Sequence, residues 1–115
     1  MRRGDIWLVN LDPVMGSEAN KTRPCVVVSN DHANTRASML DRGTVTVVPV
    51  TSTVEPLMAF HTFLPSEATG LDHDSKAQAE QVRTIDFRRL RRQIGRTTPE
   101  LLRNLDSALR LHLDL

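Results

Sequence analysis

The sequence contains no tyrosine, one tryptophan and three phenylalanines, so aromatic residues make up only 3% of its 115 positions. That scarcity argues against a surface that holds single-stranded nucleic acid by stacking successive bases on aromatic rings. Cysteine occurs once, as Cys25 within the apolar run Pro24-Cys25-Val26-Val27-Val28, so no internal disulfide is possible and a reducing compartment is expected. No apolar run approaches the roughly 18 residues of a membrane span. Met1-Arg2-Arg3-Gly4 leads directly into a strand-like pattern with no signal-peptide core, so a cytoplasmic protein without membrane contact is expected.

Metal chemistry is also poorly provided for. His32, His61, His73 and His112 lack ligand-like spacing, and there is no cysteine pair, His-Glu-x-x-His run or EF-hand loop. His73 lies between Asp72 and Asp74, but three polar residues in a turn are ordinarily solvated. No glycine-rich phosphate cradle occurs either, so no metal, cofactor or nucleotide-hydrolysing site is expected. Cys25 reads as an inert packing residue, and Ser17, Thr51 and Ser52 have no histidine close in sequence.

What is present is the composition of a globular protein, 39% apolar and 25% charged, with a length suited to one domain over residues 1–115. The net charge of +1 conceals an asymmetry: eight of fifteen basic residues lie from Arg83 onward, and all eight are arginine. Such a cluster is either a solvated helix face or a set of planar forks suited to phosphate.

Asp5–Asn10 reads as a first strand, followed by a Pro/Gly/Ser/Asn loop from Leu11 to Thr22 whose length is of the functional kind. Pro24–Asn30 reads as a valine-rich second strand, with Arg23 at its start. His32–Leu40 is a short helix or irregular connection with Asp31 as its cap. Thr44–Thr51 is a third strand in which Pro49 predicts an edge or a bulge. Phe60–Leu64 is a fourth strand, Thr69–Asp74 a turn and Ser75–Ile85 a further strand. Asp86 caps a single turn through Leu90, and Arg92–Arg96 is ambiguous because Gly95 interrupts it. The last segment is the clearest helix, with Thr98 as cap, Pro99 in the first position and Leu101, Leu102, Leu105, Ala108, Leu109, His112 and Leu113 at helical spacing. A mostly antiparallel sheet or small barrel covered by one helix is expected.

Arg23 at one strand end, Thr51-Ser52 at another and Glu80-Gln81-Val82-Arg83 at a third would bring a guanidinium, hydroxyls, an amide and a carboxylate to one rim. That set suits a phosphodiester, since arginine offers paired donors to nonbridging oxygens.

Four blocks, Arg3-Gly4-Asp5-Ile6-Trp7, Gly16-Ser17-Glu18 through Arg23-Pro24-Cys25-Val26-Val27-Val28-Ser29-Asn30-Asp31, Val48-Pro49-Val50-Thr51-Ser52 and Ala79-Glu80-Gln81-Val82-Arg83-Thr84-Ile85-Asp86, together resemble the MazF/PemK family of toxin ribonucleases. The resemblance implies an SH3-like small barrel of antiparallel strands with a C-terminal amphipathic helix, of the type shared with CcdB, assembled as a homodimer. It implies the toxin of a type II toxin–antitoxin system: a metal-independent, sequence-specific endoribonuclease that cleaves single-stranded RNA to 2′,3′-cyclic phosphate and 5′-hydroxyl ends. The catalytic pair would be Arg23 and Thr51. Ser17, Glu18, Lys21, Ser52, Gln81 and Arg83 would contact RNA, and a MazE-like antitoxin with an acidic tail would cover the groove. Arginine remains protonated, so the proton acceptor is open. Glu18 is the nearest carboxylate in sequence, either as that acceptor or as a loop residue paired with Arg23 or Lys21. Cys25 departs from the small apolar residue usual in the family, and the loop Ser52–Ala59 carries Glu55 and Pro56 rather than basic residues. The alternative on the same fold is a non-catalytic, CcdB-like toxin that binds gyrase; such chains lack the Arg/Thr pair and end in Trp-Gly-Ile rather than Leu113-Asp114-Leu115.

Overall fold

The valine-rich runs form the centre of an antiparallel sheet in a computed structural model that describes residues 1–115. In chain order the elements are β1 Asp5–Asn10, β2 Thr22–Val27, α1 Asp31–Leu40, β3 Thr44–Thr51, β4 His61–Leu64, α2 Ser66–Thr69, β5 Ser75–Gln78, β6 Arg83–Asp86, β7 Leu90–Arg96 and α3 Pro99–Leu113. Short 3₁₀ turns, Ala79–Gln81 and Phe87–Arg89, precede β6 and β7. The strands lie in the order β4-β5-β3-β2-β1-β7, with β6 also paired to β3. The expected antiparallel barrel is thus an open, barrel-like sheet with a helix against it. No helix is long and apolar enough to cross a membrane.

Side-chain alternation divides the apolar residues between two faces. Ile6, Val26, Val48 and Val50 join Leu64, Ala77, Leu105 and Ala108 in one buried cluster. Val9, Cys25, Val27, Val45, Val47 and Ile85 form the other, to which α1 adds Ala37. The α3 helix begins as the sequence indicates, with the Thr98 hydroxyl accepting from the Leu101 N–H at 3.2 Å and Pro99 in the first turn. Its leucine stripe places fully buried Leu105 in the first cluster. Arg3 ties this helix to the sheet, pairing with Asp106 at 2.7 Å and donating from Nε to the Val28 carbonyl at 2.8 Å.

Several boundaries differ from the sequence reading, each for a hydrogen-bonding reason. The second strand begins at Thr22 and ends at Val27, because Thr22 and Arg23 already pair with Asn10 and Val9, while the Val28 and Ser29 N–H groups converge on one carbonyl, that of Thr46. The cap of α1 is Asn30, whose Oδ1 accepts from Ala33 at 2.8 Å; the Asp31 carboxylate instead accepts from the Arg3 N–H at 2.6 Å. Ser75–Ile85 is not one strand. Its two halves pair with different parts of β3, β6 with Thr44–Val47 and β5 with Val50–Thr51, and the turn Ala79–Gln81 carries the chain from one to the other. Pro49 lies in the central β3 strand rather than at an edge of the sheet. It falls between those two stretches of pairing, where a missing N–H costs no ladder bond.

The ambiguous Arg92–Arg96 segment belongs to β7, paired along β1. Gly95 does not interrupt this strand; it admits a neighbour. A Cβ at Gly95 would lie 2.3 Å from the Thr69 carbonyl oxygen, so the turn at Thr69–Gly70 packs directly on the β7 backbone. Gly95→Ala should therefore push the turn outward and destabilise the fold by about 1–3 kcal/mol. Thermal melting of the variant tests this, and an unchanged Tm would show that the turn yields without cost.

Candidate functional site

Where β2 begins and β3 ends, the sheet face that α3 covers farther along is left open. Leu8, Pro24, Val50 and Ile94 supply the apolar lining of a cleft of about 660 Å³, a volume within the usual range for ligand pockets. Around this floor stand Lys21, Arg23, Thr51 and Ser52 from the first two strand ends, Asp72, His73 and Ser75 from the turn before β5, and Arg92 and Gln93 from β7. Lys21, Arg23 and Arg92 border the cleft against the one carboxylate of Asp72, so its surroundings favour an anion.

The β2–β3 register places Cys25 opposite Pro49 and Val26 opposite Val48. The pairing of β2 with β3 ends at Cys25; Arg23 pairs with Val9 of β1 and, like Cys25 and Val27, directs its side chain from the face opposite Leu8, Pro24 and Val50, so that it borders the cleft at the strand end, as does Thr51. Arg23 donates from Nε to the Asn20 carbonyl at 2.8 Å and makes a long contact from Nη2 to the Asn20 side chain at 3.4 Å. It takes no part in the three ion pairs, Arg3–Asp106, His61–Glu80 and Asp86–Arg88, so its charge is free for a ligand. The Thr51 hydroxyl accepts from the Thr53 N–H at 3.2 Å and retains its own proton to donate. Lys21 reaches the cleft from a left-handed backbone conformation, φ 67°. Its N–H is held by Asp12 Oδ1 at 2.9 Å and its carbonyl by the Leu11 N–H at 3.0 Å, which together sustain a conformation unfavourable for a non-glycine residue.

The remaining sequence candidates stand outside this cleft. Gln81 grips the β1–β2 loop, its Oε1 accepting from Ala19 N–H at 2.9 Å and its Nε2 donating to the Ser17 carbonyl at 3.2 Å. Arg83 donates to the Leu11 carbonyl at 3.2 Å. Both fix the loop from which Lys21 and Arg23 emerge. Ser17 is exposed on that loop, and Glu18 pairs with neither Arg23 nor Lys21; its carboxylate accepts from the Met15 N–H at 2.5 Å. Glu80 is turned away to His61 at 3.1 Å. Cys25 is inert: burial pushes its thiol up to about 12 against the opposing pull of the Arg23 and Arg83 charges, so the thiolate nucleophile is suppressed.

The C-terminal arginine cluster resolves in a way that charge pattern did not reveal. Its densest part is no helix face. Arg89 donates to the Asn10 carbonyl at 3.2 Å and to that of Asp12, Arg91 donates to the Arg88 carbonyl at 2.9 Å, and Arg88 pairs with Asp86, holding that carboxyl well down, at about 2. Arg92 alone of this group lines the cleft. Sequence reasoning passed over Arg92, Gln93, Asp72 and His73 as cleft residues, because they lie far from Arg23 and Thr51 in the chain and join them only through sheet order.

The fold, a small antiparallel sheet backed by a C-terminal helix, is that of the MazF toxins. The chain belongs to the PemK-like, MazF-like toxins of type II toxin–antitoxin systems, whose sequence profile matches residues 2–113. Endoribonuclease MazF9 of Mycobacterium tuberculosis is 57% identical to it over 115 residues, covering 100% of this chain and 98% of that one. Among solved structures, Mycobacterium tuberculosis toxin MazF-mt6 superposes with a TM-score of 0.77 at 25% identity, covering 96% of this chain and 97% of that one. MazF of Deinococcus radiodurans gives a TM-score of 0.83 at 23% identity, over 100% and 97% of the two chains, a likeness of fold.

The assignment of Gln81 to holding the loop is testable. Gln81→Ala removes both bonds and is expected to destabilise the loop anchor by about 1–3 kcal/mol. In amide hydrogen exchange the Ala19 N–H should lose protection while β3 amides keep theirs; undiminished protection at Ala19 would refute the anchor.

Proposed function

We propose that the chain is an endoribonuclease toxin whose active centre is the cleft, with Arg23 and Thr51 as catalytic residues. The observation that carries this reading is an arginine outside every ion pair and a threonine hydroxyl with its proton free, at two strand ends that border a cationic cleft. The target is single-stranded RNA, whose unstacked bases can be splayed into flanking loops.

In the proposed reaction a ribose O2′ attacks the adjacent phosphorus and the P–O5′ bond breaks, leaving a 2′,3′-cyclic phosphate and a 5′-hydroxyl. Negative charge concentrates on the nonbridging oxygens as the phosphorane forms. Arg23 meets that charge with preformed N–H donors, and Thr51 donates a further hydrogen bond; donors already in place are worth most in the transition state. These charges belong to the chain itself, and the step uses no metal ion. Lys21, Ser52 and Arg92 would hold neighbouring phosphates. Ser17 and Glu18 would meet the strand on the exposed loop that Gln81 and Arg83 fix, with sequence preference set there and at Ser52–Ala59. The family reading further supports one domain over residues 1–115, a homodimer, action in the cytoplasm and neutralisation by a MazE-like antitoxin, whose acidic tail would compete with RNA for the cationic cleft.

The test is incubation of the purified protein with a long mixed-sequence RNA in EDTA. Cleavage is expected, with fragments whose 5′ ends accept phosphate from polynucleotide kinase. Loss of one transition-state donor in Arg23→Ala should lower the rate about 100- to 1,000-fold, with Thr51→Ala also impaired. An uncut RNA, or an Arg23→Ala protein of wild-type rate, would overturn the reading.

A further inference from the structure

We propose that Lys76 is a positioning residue that fixes the Ser52–Ala59 loop beside Thr51, an inference that rests on the ribonuclease reading of the site. Lysine is almost never fully buried without a partner charge. Lys76 is nevertheless only 5% exposed and joins none of the three ion pairs. Its ammonium donates instead to the Pro56 carbonyl at 2.5 Å. An ammonium buried on one neutral acceptor is unfavourable for stability alone, because an apolar side chain of the same length would fill the place without the desolvation penalty.

The place is specific. β5 pairs with β3 so that Lys76 stands directly opposite Thr51, and Ala77 opposite Val50. Residues directly opposite one another project to the same face of a sheet, with Cβ atoms about 5 Å apart. Lys76 therefore leaves the backbone on the Thr51 side, while Ala77 and Val50 enter the apolar cluster on the other.

The loop that follows Thr51 is held at three points. The Thr51 hydroxyl accepts from the Thr53 N–H at 3.2 Å, the Pro56 carbonyl accepts from Lys76, and His61 Nδ1 accepts from the Met58 N–H at 3.0 Å. Only the middle bond has a charged donor. Because the first bond is made to the Thr51 hydroxyl oxygen itself, the direction of that hydroxyl depends on the path of the loop, and Lys76 sets the path from directly across the sheet. Beyond Pro56 the loop leaves Leu57 and Met58 exposed, as apolar surface for unstacked bases. Lys76 thus does for this loop what Gln81 does for the loop between β1 and β2. With its ammonium buried against Pro56, it is not itself a phosphate contact.

The experiment replaces Lys76 by methionine, which keeps an unbranched side chain and removes the charge. Lys76→Met should melt at or above the wild-type Tm, because a buried charge without a counter-ion is lost. In amide hydrogen exchange Thr53 and Met58 should lose protection while β3 amides keep theirs. On a short RNA spanning the strongest cut mapped in the long transcript, kcat should fall about 10- to 100-fold, and cuts in the long transcript should spread to secondary sequences. Binding of that short RNA carrying a 2′-deoxy sugar at the cut should keep its wild-type salt dependence; loss of a phosphate contact would lower the slope of log affinity against log salt by about 0.7. Retained protection at Thr53 and Met58, a wild-type rate and cut pattern, a lowered salt slope or a chain that no longer folds each overturns the proposal, while Arg23-dependent cleavage by the wild-type background leaves the ribonuclease reading standing. Absence of cleavage in wild type overturns both.

Discussion

The strand ends that border the cleft take their positions from the hydrogen-bonding obligations of β3. One edge of this strand is paired with β2; the other is shared in sequence by β6 and β5. A backbone group left unpaired in a sheet interior is costly, so the change of partner falls where β3 has least to lose, at Pro49. The same edge then fixes the rest. β5 delivers the turn carrying Asp72 and His73 to the end of the sheet, β2 and β3 end with Arg23 and Thr51 at the border of the cleft, and the alternating valines of β3 feed both apolar clusters.

The cleft departs from the economy of the remainder of the molecule. Elsewhere arginines are spent on carbonyls or carboxylates: Arg3 on Asp106 and Val28, Arg83 on Leu11, Arg88 on Asp86, Arg89 on Asn10. In the cleft Arg23 has no carboxylate partner, and Lys21 sits in a backbone conformation that only its two flanking hydrogen bonds make tenable. Unpaired charge and local strain at one place are tolerated because the sheet beneath is closely packed, and they leave the site complementary to an anion before one arrives. The loop from Gly16 to Lys21 is of the same design: its backbone is held by Gln81 while Ser17, Glu18, Asn20 and Lys21 are exposed.

Local chemistry was legible in the sequence wherever one short stretch dictated it. The α3 start at Thr98-Pro99, the single turn capped by Asp86 and the limits of β1 and β3 follow from capping groups, proline and β-branched runs, all of which act within a few residues. The family resemblance likewise rested on contiguous blocks, and those blocks contained Arg23 and Thr51. Ser75–Ile85 was misjudged because its alternation looks like one strand, and nothing within it records that β3 offers two separate stretches of free edge. Gly95 was misjudged for a related reason, since the carbonyl that needs its missing side chain belongs to Thr69.

By itself, then, the sequence determined an apolar, helix-backed antiparallel sheet and an arginine and a threonine at two strand ends, because hydrophobic periodicity and turn chemistry are local. Only the tertiary structure decided which charges remain available. Of the arginines in the basic C-terminal stretch it consumed Arg83, Arg88 and Arg89 internally and delivered Arg92 to the cleft; it withdrew Glu18 and Glu80 from Arg23. The physical reason is that a side chain's free charge is what remains after its neighbours in space have taken their hydrogen bonds, and strand order, not sequence separation, chooses those neighbours.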